Sequence, residues 1–219
     1  MECAALTLKA AGACAIGTNC FAPSDEMIAS VKAVRKLTDL PIIAQPNAGL
    51  PEIDADGNAH YHITPDEMIP YMQSLLDAGA SAIGGCCGTR PEHIRAFAAL
   101  DLSAPSESIW DGQQYICSAR QYVSLEEALE NAAEIQDVED LYDLEDEAAA
   151  VFDLSNLDSA EDVEEALIEA QIASNIPLIF RCDNPELLEA ALLNYPGAAA
   201  VYTTDDCAEI CAKYGAVRI

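Results

Sequence analysis

A ten-residue pattern occurs twice in this chain, and few folds accommodate it. Ala11-Gly12-Ala13-Cys14-Ala15-Ile16-Gly17-Thr18-Asn19-Cys20 and Ala78-Gly79-Ala80-Ser81-Ala82-Ile83-Gly84-Gly85-Cys86-Cys87 agree as A-G-A-x-A-I-G-x-x-C, 67 residues apart. A short apolar run closed by a turn is the pattern of a buried strand in a layered α/β protein. The offset leaves room for two β/α units, so the copies fall on parallel strands with one neighbour between them. Strands lie about 4.8 Å apart, which puts the two turns about 10 Å apart. Inward side chains from both could share one ion at Zn–S distances near about 2.3 Å. Packing alone explains the Ala and Gly positions. It does not explain cysteine at the same end of both copies.

The second copy opens into Gly84-Gly85-Cys86-Cys87-Gly88-Thr89-Arg90-Pro91-Glu92-His93. Glycines on both sides let the backbone turn sharply and approach a ligand, and Thr89 with Glu92 has the spacing of a capping box, predicting a helix from there. The chain has nine cysteines, an odd number without a secretory leader, which favours thiols or thiolate ligands over a disulfide framework. Thiolates of Cys20, Cys86 and Cys87 around Zn²⁺ would leave a fourth position open, as in catalytic sites. A thiol bound there loses its proton to the metal and stays nucleophilic, so the natural reaction is S-alkylation. Two other readings stand beside this one: buried apolar cysteines, and a redox pair, against which adjacent cysteines are poorly placed to bond each other. Cys117, Cys182, Cys207 and Cys211 have no such partner logic, and Cys207 and Cys211 read as core or helix-face residues.

In chain order, the pattern predicts a helix over 3–11, a strand over 13–17, and a helix from Ser24 carrying Ile28, Val31, Val34 and Leu37 at helical spacing. A strand over 40–44 follows, closed by Gln45-Pro46-Asn47-Ala48-Gly49, then a hairpin turn at 54–58. Thr64-Pro65-Asp66-Glu67 combines N-cap, N1 proline and capping-box glutamate ahead of a helix reaching Ala78. A strand over 80–84 enters the paired cysteines, and a helix covers 92–100. Residues 103–114 read as a linker between a first domain, 1–102, and a second, 115–219. In the second, a strand over 115–123 and an acidic helix over 124–135 precede an acid-rich connector over 136–147. Strands over 149–154, 177–181, 198–203 and 215–219 then alternate with helices over 160–173, 185–194 and 205–214, which argues a parallel sheet.

Net charge is −28: residues 1–100 contribute −5 (11 acidic, 6 basic) and residues 101–219 contribute −23 (27 acidic, 4 basic). Such a surface repels phosphates, so nucleic acid is not a partner. No apolar run spans a membrane. The N-terminus, Met1-Glu2-Cys3-Ala4, lacks a basic segment and cleavage pattern, so the protein is expected in the cytoplasm.

The motifs Gly17-Thr18-Asn19-Cys20, Gln45-Pro46-Asn47-Ala48-Gly49 and Gly84-Gly85-Cys86-Cys87-Gly88-Thr89 resemble, in order and spacing, the zinc motifs of the homocysteine S-methyltransferase family. The resemblance implies a (β/α)₈ TIM barrel, of which residues 1–102 supply the last strands, with Cys20, Cys86 and Cys87 as zinc ligands and Asn47 positioning substrate. It implies that homocysteine binds as the fourth, thiolate ligand and takes a methyl group to give methionine, as in methionine synthase, from a donor such as methylcobalamin carried on another domain or protein. The alternative of a different class is a non-catalytic zinc-binding remnant or assembly protein. The second half is similar, more weakly, to the pterin-binding domain of cobalamin-dependent methionine synthase, through Pro177-Leu178-Ile179-Phe180, Asn184-Pro185-Glu186 and Tyr195-Pro196-Gly197. Arg181 stands where that family has a pterin-binding Asp, and Tyr202 where it has Asn, which argues against folate binding. A full barrel needs about 250 residues. Two partial barrels would expose sheet edges that further chain, or association into an oligomer, must cover.

Overall fold

The computed structural model describes residues 1–102, 110 and 112–219; most of the linker expected over 103–114 lies outside them. The chain is mixed α/β with parallel sheets and forms two compact units, Cys14–Asp111, and Met1–Ala13 together with Gly112–Ile219. The first helix, α1 (Glu2–Ala10), therefore groups with the second half of the chain rather than with the cysteine motifs. Its buried face carries Cys3, Ala5 and Leu6, and its Thr7 Oγ1 lies 3.6 Å from Cys117 Sγ.

In the unit Cys14–Asp111, the elements are β1 (Ile16–Asn19), α2 (Asp25–Leu37), β2 (Ile42–Gln45), a hairpin of β3 (Glu52–Ile53) and β4 (Ala59–His60), α3 (Pro65–Asp77), β5 (Ala82–Ile83) and α4 (Pro91–Phe97). The three longer-range strands pair in the order β1-β2-β5, all parallel, with Ile16 opposite Ile42 and Ala44 opposite Ile83. The repeat thus lies on two strands separated by one neighbour, as its offset predicts. Ser24 caps α2 by accepting from Met27 N–H, and the helix buries Met27, Val31, Val34 and Leu37, with Met27 rather than Ile28 at the first core position. Thr64 and Glu67 close a reciprocal capping box on α3.

Two features were not legible beforehand. Arg35 is buried, yet satisfied: Nε and Nη2 donate to Gly79 O at 3.2 and 3.0 Å, and Nη1 to Thr38 O at 3.2 Å. It ties α2 to the turn that enters β5. The expected Thr89–Glu92 capping box does not form. Pro91 sets the helix start, and the residue before a proline is pushed to extended backbone; Arg90 accordingly has φ −127° and ψ 168° and becomes the N-cap. His93 then stands at N3, and its Nδ1 accepts from Arg90 N–H at 3.1 Å.

In the other unit the elements after α1 are β6 (Tyr115–Cys117), β7 (Tyr122–Ser124), α5 (Leu125–Glu130), β8 (Ala132–Ile135), β9 (Ala149–Asp153), α6 (Ala160–Ala173), β10 (Leu178–Arg181), α7 (Pro185–Asn194), β11 (Ala200–Tyr202), α8 (Ala208–Tyr214) and β12 (Val217–Arg218). Five strands form one parallel sheet in the order β12-β11-β10-β9-β8. Phe180, Val163, Leu167 and Leu188 lie in one buried cluster with the helices, while Ile116, Val151, Ile179 and Ala200 form another. Alternate residues of β9 and β10 thus enter different cores, as a sheet covered on both faces requires.

The single strand expected over 115–123 is a hairpin instead, β6 antiparallel to β7. Ser118 Oγ accepts from the N–H of Arg120 and Gln121 at 3.2 and 3.0 Å, a hydroxyl-nucleated turn. The acidic helix expected over 124–135 stops at Glu130, and Ala132–Ile135 becomes β8, paired to β9. Sheet pairing overrides helix propensity there. The connector over 136–147 contains a 3₁₀ turn, Val138–Asp143, that buries Val138 and Leu141.

Candidate metal centre

The exits of three neighbouring strands meet at one point. Cys20 follows β1 with φ +64°, the non-glycine residue in the left-handed region among those described. That backbone costs about 1–3 kcal/mol and persists only where surroundings hold it. The holding is done by the loop after the middle strand. Gln45 O accepts from Cys20 N–H at 3.3 Å, and Pro46 O accepts from Cys86 N–H at 3.0 Å. The buried Asn47 accepts at Oδ1 from Cys87 N–H at 3.2 Å, and Ala48 N–H donates to Cys87 O at 2.9 Å. Four consecutive residues of one loop therefore splint the cysteines on either side.

Two glycines permit the paired-cysteine turn. A side chain at Gly85 would strike Thr89, whose hydroxyl donates to Cys86 O at 2.6 Å. Gly88, at φ +77°, has the Tyr61 ring against it, where a Cβ would collide.

The result is a triangle of sulfurs. Cys20 Sγ lies 3.3 Å from Cys86 Sγ and 3.6 Å from Cys87 Sγ, and the last two are 3.9 Å apart. Ligands at about 2.3 Å in a tetrahedral array stand about 3.8 Å from one another, so the three sulfurs fit a zinc ion closely. Among the described residues this is the group of Cys, His, Asp or Glu side chains gathered tightly enough for a metal. Cys20 and Cys87 are exposed and Cys86 half-buried, which leaves a side open.

The electrostatics point the same way. Cys20's thiol is pushed up to about 11 because it hydrogen-bonds Cys86 and Cys87. Cys86 is held below the ordinary thiol range, first by the bond from Cys20 and also by the Asn19 amide, whose Nδ2 lies 3.8 Å from Cys86 Sγ. Three sulfurs this close repel as thiolates, and a divalent cation between them removes the repulsion.

Tyr61, Asn19 and Thr89 are contacts of the site that motif reading missed. Asn19 sits inside its motif without an assigned role, and Thr89 is expected there as a helix cap rather than as a contact of the cysteine turn. Tyr61 follows the β3–β4 hairpin, where nothing in the local pattern marks it. Its phenol is pushed up first by desolvation and then by Cys87, which it hydrogen-bonds. The hairpin is pinned by Asp54, which accepts from the N–H of Asp56 and Asn58 at 2.9 and 2.8 Å and from His60 Nε2 at 2.7 Å. His60 is the first cause, and the Asn58 backbone the second, of an Asp54 carboxyl held at about 2. His93 Nε2 donates to Ile63 O at 3.0 Å, joining α4 to the end of this excursion.

The remaining cysteines do not join the cluster. Cys3, Cys117, Cys182, Cys207 and Cys211 are buried, while Cys14 is exposed. Burial pushes the thiols of Cys117, Cys182 and Cys211 up, the expected behaviour of inert core cysteines. In the other unit, Arg181 makes a bidentate pair with Glu134 at 2.7 and 2.8 Å and lies over the Tyr202 ring. Among the described residues no helix is long and apolar enough to cross a membrane.

Residues 1–100 match the family model described as Homocysteine S-methyltransferase. The region is 35% identical over 102 residues to methionine synthase of Mycobacterium leprae, covering 46% of this chain and 8% of that protein. Methionine synthase of Mycobacterium tuberculosis is 40% identical over 98 residues, 44% of this chain and 8% of that protein. Homocysteine S-methyltransferase 3 of Arabidopsis thaliana is 34% identical over 113 residues, 48% of this chain and 31% of that protein. The family likeness carried by the cysteine motifs is borne out over this region. The chain spans less than a tenth of the length of the two methionine synthases and about a third of the plant protein.

Proposed function

We propose that this chain carries the zinc-holding, thiol-activating part of a homocysteine S-methyltransferase of the methionine synthase kind, with Cys20, Cys86 and Cys87 as the metal ligands. The observation that supports it most is the sulfur triangle of 3.3, 3.6 and 3.9 Å, assembled from two loops 67 residues apart in a region matching that family. Zinc held by three thiolates supplies a Lewis-acidic centre at which a further thiol ionises near neutral pH. The chain's own residues do the rest. Asn47 and the Gln45 and Pro46 carbonyls hold the three cysteine backbones, Asn19 hydrogen-bonds the Cys86 sulfur, and Tyr61 lies against Cys87. In the overall reaction the substrate S–H bond and the donor–CH₃ bond break, an S–CH₃ bond forms, the proton leaves to solvent, and the donor departs with the electron pair of its former bond to methyl. The methyl group comes from a donor such as methylcobalamin on another domain or protein.

The parallel order β1-β2-β5 supports reading Cys14–Asp111 as the last strands of a TIM barrel, and the five-stranded unit as a second, pterin-binding-like βα domain. In that second domain the Arg181–Glu134 pair saturates both charges with each other, which supports a scaffold that does not bind folate. Nine free cysteines suit a reducing cytoplasm, and open strand edges suit an oligomer.

Zinc-loaded protein should hold about one metal per chain, and Cys20→Ser or Cys87→Ser should lose it. Adding homocysteine should raise the sulfur coordination seen by X-ray absorption from three to four and release a proton. Metal-free protein with all cysteines alkylating at equal rates would refute the reading. Zinc that ignores homocysteine would leave the non-catalytic metal-binding alternative in its place.

A further inference from the structure

The unit of Met1–Ala13 and Gly112–Ile219 holds a cavity of about 130 Å³ that the thiol chemistry leaves unused. Its walls are the β6–β7 turn, α6 and the segments that enter β10 and β11. It therefore lies at the amino ends of those strands, the opposite end from Arg181 and Tyr202. Leu167, Ala170, Leu178 and Tyr195 are buried and form the floor, while the exposed Arg120 and Asn175 stand at the mouth. An apolar cavity of about 150 Å³ holds benzene, so this one, open at its mouth, takes a body the size of one ring.

Two donors in this cavity are unspent. Tyr195 Oη accepts from Leu178 N–H at 2.9 Å, and both residues line the floor. That bond uses a lone pair; among the described residues no acceptor takes the phenol's own proton. Burial pushes this phenol up, so it keeps that proton throughout the neutral range. Arg120 is the second. Residues 101–219 hold 27 acidic and 4 basic residues. Arg181 and Lys213 pair with Glu134 and Glu189, yet among the described residues no carboxylate pairs with the Arg120 guanidinium. Its backbone N–H donates to Ser118 Oγ at 3.2 Å, which fixes where the side chain leaves the turn. No Asp or Glu lines the cavity; Glu127 and Glu147 border a neighbouring hollow that Arg120 also touches, without pairing to it. A guanidinium presents a planar fork that matches a carboxylate in a bidentate way. On a half-chain this acidic, a carboxylate ligand is repelled from most other surfaces.

We infer that this cavity binds a small monocarboxylate with a ring-sized apolar body. The carboxylate sits on the Arg120 guanidinium at the mouth, and an acceptor oxygen at the far end takes the Tyr195 O–H at the floor. The site belongs to the unit without the cysteine triangle, so it stands or falls independently of the methyltransferase reading.

The test titrates the full-length, nitrogen-15-labelled protein with 4-hydroxybenzoate, which carries a carboxylate, one ring and a far acceptor oxygen. The amide signals of Ser174, Asn175 and Leu178 should shift saturably, with half-saturation at about 1 mM or below, the level that about ten heavy atoms reach at ordinary ligand efficiency. Methyl 4-hydroxybenzoate, which lacks the charge, should bind about tenfold more weakly or worse, and acetate, which lacks the body, should not saturate. Arg120→Ala should raise the half-saturating concentration about tenfold or more, and Arg120→Lys should recover part of that loss. Benzoate lacks the far oxygen and should bind several-fold more weakly than 4-hydroxybenzoate. Tyr195→Phe should bring 4-hydroxybenzoate down to the benzoate level and leave benzoate unchanged, whereas a merely loosened floor weakens both. If Tyr195→Phe does not fold, the two ligands compared on the wild type read the same contact. The inference is overturned if 4-hydroxybenzoate gives no saturable shift, if the ester or acetate matches it, if Arg120→Ala binds as tightly as wild type, or if benzoate binds as tightly as 4-hydroxybenzoate. Equal weakening of both ligands by Tyr195→Phe also overturns it.

Discussion

Replacing Asn47 with alanine removes one acceptor from the splint that aligns the cysteines. Asn47 is buried, and its Oδ1 takes the Cys87 N–H at 3.2 Å. An amide hydrogen bond contributes about 0.5–1.5 kcal/mol, and leaving the donor unmet in a half-buried turn costs about 1–3 kcal/mol. The metal-free protein should therefore lose about 1–3 kcal/mol in urea unfolding. The larger consequence is geometric. Cys87 Sγ stands 3.6 and 3.9 Å from its two partners, and a released turn spreads that triangle. Contacts behind a ligand are worth 10- to 100-fold in metal affinity, about 1.4–2.7 kcal/mol. Competition with a calibrated chelator measures this directly. Asn47→Asp, which keeps an acceptor at the same place, should recover most of the zinc affinity. If Asn47→Ala unfolds more easily yet binds zinc as tightly as wild type, the splint argument is wrong. If zinc affinity holds and only homocysteine binding weakens, Asn47 acts on substrate instead.

Three further outcomes follow from the same geometry. Gly88→Ala places a Cβ into the Tyr61 ring at φ +77°, so it should cost about 1–3 kcal/mol of stability and lower zinc content, read by melting and metal analysis on one sample. Phe180→Ala empties the middle of β10, where the ring is fully buried and edge-on to Tyr195; a loss of about 3–5 kcal/mol should appear in urea unfolding while the zinc affinity stays unchanged. Asp54, held at about 2 against an ordinary 3.8, contributes stability that is present above about pH 4 and lost as pH falls toward 2. In Asp54→Asn that acid-side slope should flatten, as monitored by melting temperature between those limits.

The cysteine centre also explains the cost of its own geometry. Cys20 is held in a left-handed conformation, and its thiol is pushed up to about 11 by its two neighbours. The backbone conformation is unfavourable in the bare protein, while the hydrogen bonds to Cys86 and Cys87 favour Cys20 as a neutral thiol. A divalent cation at the triangle would give the backbone conformation a reason to persist and would displace the Cys20 proton.

What could be read from the chain itself was whatever depends on local pattern and on counting. The repeated A-G-A-x-A-I-G-x-x-C places two strands one neighbour apart with cysteine at the same end, and the order β1-β2-β5 follows from the two β/α units between them. The Thr64–Glu67 box and the alternation after residue 149 are local in the same sense. Long-range contacts decided the rest. No spacing rule announces that Gln45, Pro46 and Asn47 bond the backbones of Cys20, Cys86 and Cys87, because those partners come from other strands. Residues 132–135 join a sheet although their neighbours favour helix, since pairing with β9 outweighs a propensity of a few tenths of a kcal/mol per residue. Thr89 caps a carbonyl in the cysteine turn rather than a helix, because Pro91 moves the helix start past it. The three cysteines were legible in the sequence as a candidate set; the distances of 3.3, 3.6 and 3.9 Å between their sulfurs belong to the fold, because the middle strand's loop brings them together.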